Sequence, residues 1–133
     1  DLSRAGDIPS GRFDCIILTQ TLHLIYELRP VLQTLFRILK PGGVLLATVP
    51  GITQISCDEW AQSWYWSFTR LSMRRLAEES FPSTCVEVEA YGNVLAATGF
   101  LQGIASDELD AGELDYLDPQ YEMLVALRAS RPA

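Results

Sequence analysis

The chain has 133 residues, 48% of them hydrophobic, and a formal net charge of −7. That size and apolar content suit one domain with a single core and exclude an intrinsically disordered chain. No Lys or Arg occurs from Leu76 through Leu127, while Glu78, Glu79, Glu87, Glu89 and the acids from Asp107 to Glu122 crowd the same stretch, a surface that repels phosphate and argues against a nucleic-acid partner.

In chain order, Phe13-Asp14-Cys15-Ile16-Ile17-Leu18 is a short apolar run ending in the polar Thr19-Gln20-Thr21, which predicts a strand over 13–19. Leu28, Val31, Leu32, Leu35, Phe36 and Leu39 then recur at three- and four-residue steps, lining one face of a helix. Pro30 suits its first turn, and Arg37 and Lys40 lie at its negative end. Pro41 prevents continuation, and Gly42 or Gly43 can close the helix in the left-handed conformation. Val44 to Val49 is apolar on both alternating faces, as in a strand covered by helices on both sides, and Pro50-Gly51 stops it. Strand, helix, tight turn and strand make a βαβ unit with parallel strands.

Residues 52–68 are irregular and rich in aromatics. Thr69 offers an N-cap for a helix of about eleven residues, with Leu71, Leu76 and Ala77 inward and Arg70, Arg74 and Arg75 outward. Residues 85–91 alternate cleanly, which predicts a strand at the sheet edge. Residues 94–102 are apolar enough for a buried helix, although Gly99 weakens it. An acidic loop or short helix over 107–118 leads to a last strand at 122–129. The expected sheet has 122–129 inserted antiparallel beside 44–49, with 85–91 outermost.

An open sheet binds ligands beyond the carboxyl ends of its parallel strands, which here means 19–24 and 50–68. His23 is a candidate general base because its ordinary pKa is near neutral; the plainer reading is a histidine that packs or hydrogen-bonds. Trp60, Trp64, Tyr65 and Trp66 either wall an acceptor pocket or plug the core beneath a loop. With one histidine and no Cys-x-x-Cys, no metal site is expected, and His23 with Glu27 makes two ligands at most. Cys15, Cys57 and Cys85 read as reduced thiols in or near the core of a cytoplasmic protein, and no membrane segment is expected.

The segments FDCIILTQTLHLI (13–25) and LFRILKPGGVLLATVPG (35–51) resemble the fourth-strand and fifth-strand motifs of class I S-adenosylmethionine-dependent methyltransferases, closest to bacterial small-molecule enzymes. WSFTRLSMRRLAEESFP (66–82) and VEVEAYGNVLAATGFLQG (86–103) resemble later segments of the same group. The resemblance covers nearly the whole chain. It implies an α/β, Rossmann-like methyltransferase fold that is partial, containing the fourth to seventh strands with the last two antiparallel. It also implies that Asp1 and Leu2 meet the adenine end of S-adenosylmethionine and that Thr19 and Gln20 meet its methionine end. The family's glycine-rich cofactor loop and acidic ribose-binding residue have no counterpart. Residues 1–133 therefore resemble the carboxyl-terminal half of one domain, and bound S-adenosylmethionine is not expected in this chain alone.

The function so implied is methyl transfer to a small-molecule acceptor, with oxygen, nitrogen or carbon left open as the methylated atom. The alternative is a non-catalytic methyltransferase-like module. The chain has no Tyr-x-x-x-Lys pair and no Gly-x-Ser-x-Gly, which sets aside a short-chain dehydrogenase and an α/β hydrolase. Cys15 to Leu18 would lie on an open sheet edge in such a half domain, so a homo-oligomer joined there is expected.

Overall fold

A computed structural model describes residues 2–133. Its ordered elements are β1 (Phe13–Thr19), α1 (Leu28–Ile38), β2 (Leu39–Pro50), α2 (Arg70–Glu78), β3 (Val86–Tyr91), α3 (Val94–Gln102), α4 (Ala111–Leu114) and β4 (Leu124–Ser130). The strands form one sheet in the order β1-β2-β4-β3. β1 and β2 are parallel, with Ile17 opposite Leu46 and Thr19 opposite Thr48. β4 runs antiparallel to both β2 and β3, pairing Val49 with Val125 and Val88 with Leu127. This is the expected order, with β4 inserted and β3 outermost.

The apolar stripe of α1 buries Leu28, Val31, Leu32, Leu35 and Ile38. They pack with Leu45, Ala47 and Val49 of β2, Val125, Leu127 and Ala129 of β4, and Val86 and Val88 of β3. Met73 and Ala77 of α2 and the Phe81 ring complete that core. Thr69 and Ser72 cap α2 reciprocally: the Ser72 N–H donates to Thr69 Oγ1 at 3.1 Å and the Thr69 N–H donates to Ser72 Oγ at 3.0 Å.

Several expectations need correction. α1 ends at Ile38 rather than Lys40, and Leu39 to Gly43 already belong to β2. The reason lies at the far end of the chain. Arg131 Nη1 donates to the carbonyls of Arg37 and Leu39 at 3.0 and 2.7 Å, so the helix end is satisfied without a glycine cap. Gly42 still has a left-handed backbone (φ +78°), but its N–H donates to Arg131 O within the sheet. Lys40 pairs with Asp14 across β1 and β2 at 2.8 Å.

β2 is covered by helices on one face only: Leu46 is 40% exposed and Ile17 on β1 is 71% exposed. α3 is not the buried helix its composition suggests. Ala97 and Gly99 are buried, but Val94, Phe100 and Leu101 are exposed, because the helix packs against α4 rather than on the sheet face. On α2, which spans nine residues, Leu71 is 65% exposed while Met73 is buried. Two residues are roughly 200° around a helix, so the two cannot share a face. Cys15 and Cys57 are exposed and Cys85 is half-buried in a short 3-10 turn, Ser83–Cys85, rather than in a strand. Cys15 shares the uncovered face with Ile17, two residues on.

Residues 2–12 pack along α1. Arg37 donates to the carbonyls of Ile8 and Ala5 at 2.6 and 2.8 Å, and the Arg12 N–H donates to Ile38 O at 2.7 Å. Among the described residues, the outer edge of β1 therefore has no strand beside it.

Candidate functional site at the carboxyl ends of β1 and β2

β1 ends at Thr19, opposite Thr48 of β2. Gln20 follows with a left-handed backbone, φ +47°, the only non-glycine residue of positive φ among those described. Such a conformation costs about 1 kcal/mol and persists where the surroundings hold it. Here the Gln20 N–H donates to Thr48 O at 2.9 Å and its Nε2 donates to Thr48 Oγ1 at 3.4 Å. A cavity of about 230 Å³ opens at this point between Gln20, Pro50, Ile52, Phe100, Met123 and Leu124. Gly51 is obligatory beneath it, since a Cβ there would lie 2.0 Å from Glu122 O.

The chain then makes a 3-10 turn, Leu22–Leu24, closed by the Ile25 N–H on Leu22 O at 3.1 Å. Leu22 anchors it in the core, which carries His23 inward to 3% exposure. The imidazole lies against the Trp64 indole, ring centroids 4.4 Å apart and tilted by 57°. Burial lowers the His23 pKa, so the ring is neutral at pH 7. His23 Nδ1 and Trp64 Nε1 are both sealed from solvent without a hydrogen-bond partner. The covering segment is fixed by the N–H groups of Tyr65 and Trp66, which donate to His23 O at 3.0 and 3.3 Å.

The structure thus brings Thr19, Gln20 and His23 to one end of the sheet. Leu2 packs against the core beside α1, and Asp1 lies outside the described residues. The four aromatics divide. Trp64 covers His23, whereas Trp66 stacks on Tyr26 (5.8 Å, 24°) and donates its Nε1–H to Ile25 O at 3.0 Å. Tyr65 meets Tyr26 edge-on at 5.4 Å. Trp66 and Tyr26 line a separate groove of about 550 Å³ with Glu27, Phe68 and Leu76. Trp60 is half exposed on a 3-10 turn, Glu59–Ser63, capped by Asp58.

Thr48 and Phe100 were missed in the sequence. Thr48 is the mirror of Thr19 and follows from the same strand-end rule, but Phe100 arrives from α3 by tertiary packing alone. Thr19, Gln20 and Thr48 bring two hydroxyls and one amide together at the carboxyl ends of β1 and β2. The cavity at Gln20 falls below the roughly 300 Å³ of ordinary ligand pockets. Thr19 and Thr48 line a separate one of about 290 Å³ on the bare sheet face with Ile17 and Leu46. The three-residue turn after β1 presents no helix N-terminus to an anion. Among the described residues, no three His, Cys, Asp or Glu side chains gather as a metal site, and no helix is long and apolar enough to cross a membrane.

A family model described as a methyltransferase domain matches residues 3–100. Among curated proteins, the probable polyketide synthase 14 of Dictyostelium discoideum is 28% identical over 90 residues, 66% of this chain and 3% of that protein. The chain thus spans only a small fraction of the curated relatives it matches. Among solved structures, the phosphoethanolamine N-methyltransferase 2 of Haemonchus contortus, in complex with phosphomonomethylethanolamine and S-adenosylhomocysteine, matches all of this chain and 36% of its own, with a TM-score of 0.63 and 16% identity. An S-adenosylmethionine-dependent methyltransferase from Mesorhizobium loti matches 98% of this chain and 67% of its own, with a TM-score of 0.62 and 19% identity. These likenesses establish the Rossmann-like α/β fold.

Proposed function

Because the chain belongs to the methyltransferase domain family, we propose that it is the carboxyl-terminal, acceptor-facing part of an S-adenosylmethionine-dependent domain that methylates a small molecule. The observation that carries this reading is the convergence at the end of β1. A strained Gln20 is tied to Thr48, and a buried, neutral His23 follows three residues later.

When bound, the sulfonium cofactor supplies an electrophilic methyl group with its own leaving group. The protein's task is then alignment and, where the acceptor bears a proton, its removal. Thr19, Gln20 and Thr48 orient the methionine end. His23 accepts a proton at a ring nitrogen, which its neutral state permits. Trp64 keeps water from that nitrogen. Asp1 and Leu2 meet the adenine end, and the aromatics from Trp60 to Trp66, through Tyr65, contribute to acceptor binding.

The family's glycine-rich loop has no counterpart in these residues, so this chain alone holds the cofactor weakly and is inactive on its own. A second reading, a non-catalytic methyltransferase-like module, draws on the same missing loop. We place the protein in the cytoplasm, where its three free cysteines persist, and as a homo-oligomer joined through the open edge of β1 or the bare face beside it. Isothermal titration with S-adenosylmethionine tests the reading: affinity no tighter than millimolar is expected. Micromolar binding would mean that the cofactor is held elsewhere than at the end of β1.

A further inference from the structure

α3 lies on the surface yet carries no charged side chain: its nine residues are VLAATGFLQ. Val94, Thr98 and Leu101 are exposed and, at steps of four and three residues, share one face of the helix. A surface helix ordinarily turns charged or polar groups outward, whereas here Val94 and Leu101 are each about half exposed. The helix is firmly held. Asn93, itself buried, accepts the Ala96 N–H at 2.8 Å, and its Nδ2 donates to the carbonyls of Glu113 and Tyr116 at 2.8 and 2.7 Å. On the inner side, the Leu109 side chain closes on Gly99, where an added Cβ would meet it at 3.0 Å.

The same contacts gather acids at both ends of α3. Glu113 and Asp115 belong to the stretch tied to Asn93, and the Asp118 N–H donates to Gly92 O at 2.9 Å. Asp107, Glu108 and Asp110 flank Leu109. Among the described residues none of these six carboxylates has a cation within ion-pair distance. The ion pairs that do form, from Asp14 with Lys40 to Glu122 with Arg70, all lie outside 92–121.

An apolar stripe between unpaired carboxylates narrows what can cover it. A second copy of this face repeats the same charges and is repelled, as are nucleic acids and anionic membranes. We propose that α3 and the acidic segment 107–118 form a docking surface for a basic amphipathic helix of a partner protein. The partner's apolar side chains lie on Val94 and Leu101, which are two helical turns apart, and its Lys or Arg side chains reach the carboxylates at either end. The proposal stands apart from methyl transfer, and either can fail without the other.

Three synthetic peptides test it by titration into the ¹⁵N-labelled chain: an amphipathic leucine–lysine helix, the same helix with glutamate for lysine, and a lysine peptide with serine for leucine. The leucine–lysine helix is expected to shift the amides of 94–102 and 107–118 and to bind more weakly as salt is raised. The other two are expected to bind several-fold more weakly. Leu101→Ser, at an exposed position, and Glu113→Gln, whose backbone alone serves Asn93, should each weaken the leucine–lysine helix, and Glu113→Gln should also flatten its salt dependence. Equal binding of the lysine–serine peptide would reduce the effect to net charge and overturn the proposal. So would equal binding of the leucine–glutamate helix, or shifts gathered instead at Ile17 and Leu46 on the bare sheet face. Phosphatidylcholine vesicles that move the same amides as strongly would make this a lipid surface and overturn it too. If a variant loses its fold, the comparison of the three peptides on the unaltered chain decides.

Discussion

Gln20 holds a left-handed backbone directly against Thr48, giving its N–H to the Thr48 carbonyl at 2.9 Å and its side-chain amide to the Thr48 hydroxyl at 3.4 Å. A β-strand that merely had to end would place glycine there. Gln20→Gly is therefore expected to stabilise the chain by up to about 1 kcal/mol, read as a higher urea midpoint. The same change should remove whatever the side chain binds. A lower midpoint would mean that Gln20 is retained for stability.

Arg131 ties the end of the chain to the end of α1. Its guanidinium lies 5.2 Å from the Phe36 ring centroid while Nη1 donates to the carbonyls of Arg37 and Leu39. A cation at a helix C-terminus, with charge-assisted hydrogen bonds to backbone oxygens, contributes about 1–3 kcal/mol. Arg131→Met keeps some of the packing on Phe36 and should lose about that much in chemical denaturation. A loss below about 0.5 kcal/mol would show that water caps α1 equally well.

Strand order, parallel pairing and the helix stripe were legible because each rests on a local pattern: the apolar runs of Ile16 to Leu18 and Val44 to Val49 mark strands, and the Leu28 to Leu35 spacing marks the buried face of a helix. What failed depended on distant partners. Val44 to Val49 reads as two-sided because composition reports what a strand can bury, whereas Leu46 shows what this chain does bury. The run from Val94 to Leu101 was misread for the same reason. At the candidate site, the strand-end rule pointed to residues 19–24, and the family resemblance singled out Thr19 and Gln20 within them. The division of the aromatics between His23 and Tyr26 followed from neither, since it is set by where the segment after Pro50 crosses the turn at His23.

His23 gives stability a pH dependence of defined sign. Burial lowers its pKa below the usual 6.5, so the unfolded chain binds a proton that the folded chain does not. Stability is therefore full above pH 6.5 and falls as the pH drops from there toward the lowered folded value. Urea midpoints between about pH 5 and 7 should show this slope, and His23→Gln should flatten it. An unchanged slope in the variant would assign the proton to another group.

Ile17 stands 71% exposed on the bare sheet face, beside an edge of β1 that no strand among the described residues pairs with. Light scattering at micromolar concentration is expected to show a dimer or larger species, and Ile17→Lys to shift it toward monomer. A clean monomer from the unaltered chain would contradict the proposed association.

The most direct measurement follows backbone amides during a titration with S-adenosylhomocysteine. If the ends of β1 and β2 form the cofactor's methionine-end site, the shifts will be confined to Thr19, Gln20, Thr21, Thr48 and the residues around Gly51, and will develop in the millimolar range. Shifts gathered in the groove of Tyr26 and Trp66, or saturation at micromolar concentration, would contradict that placement of the site.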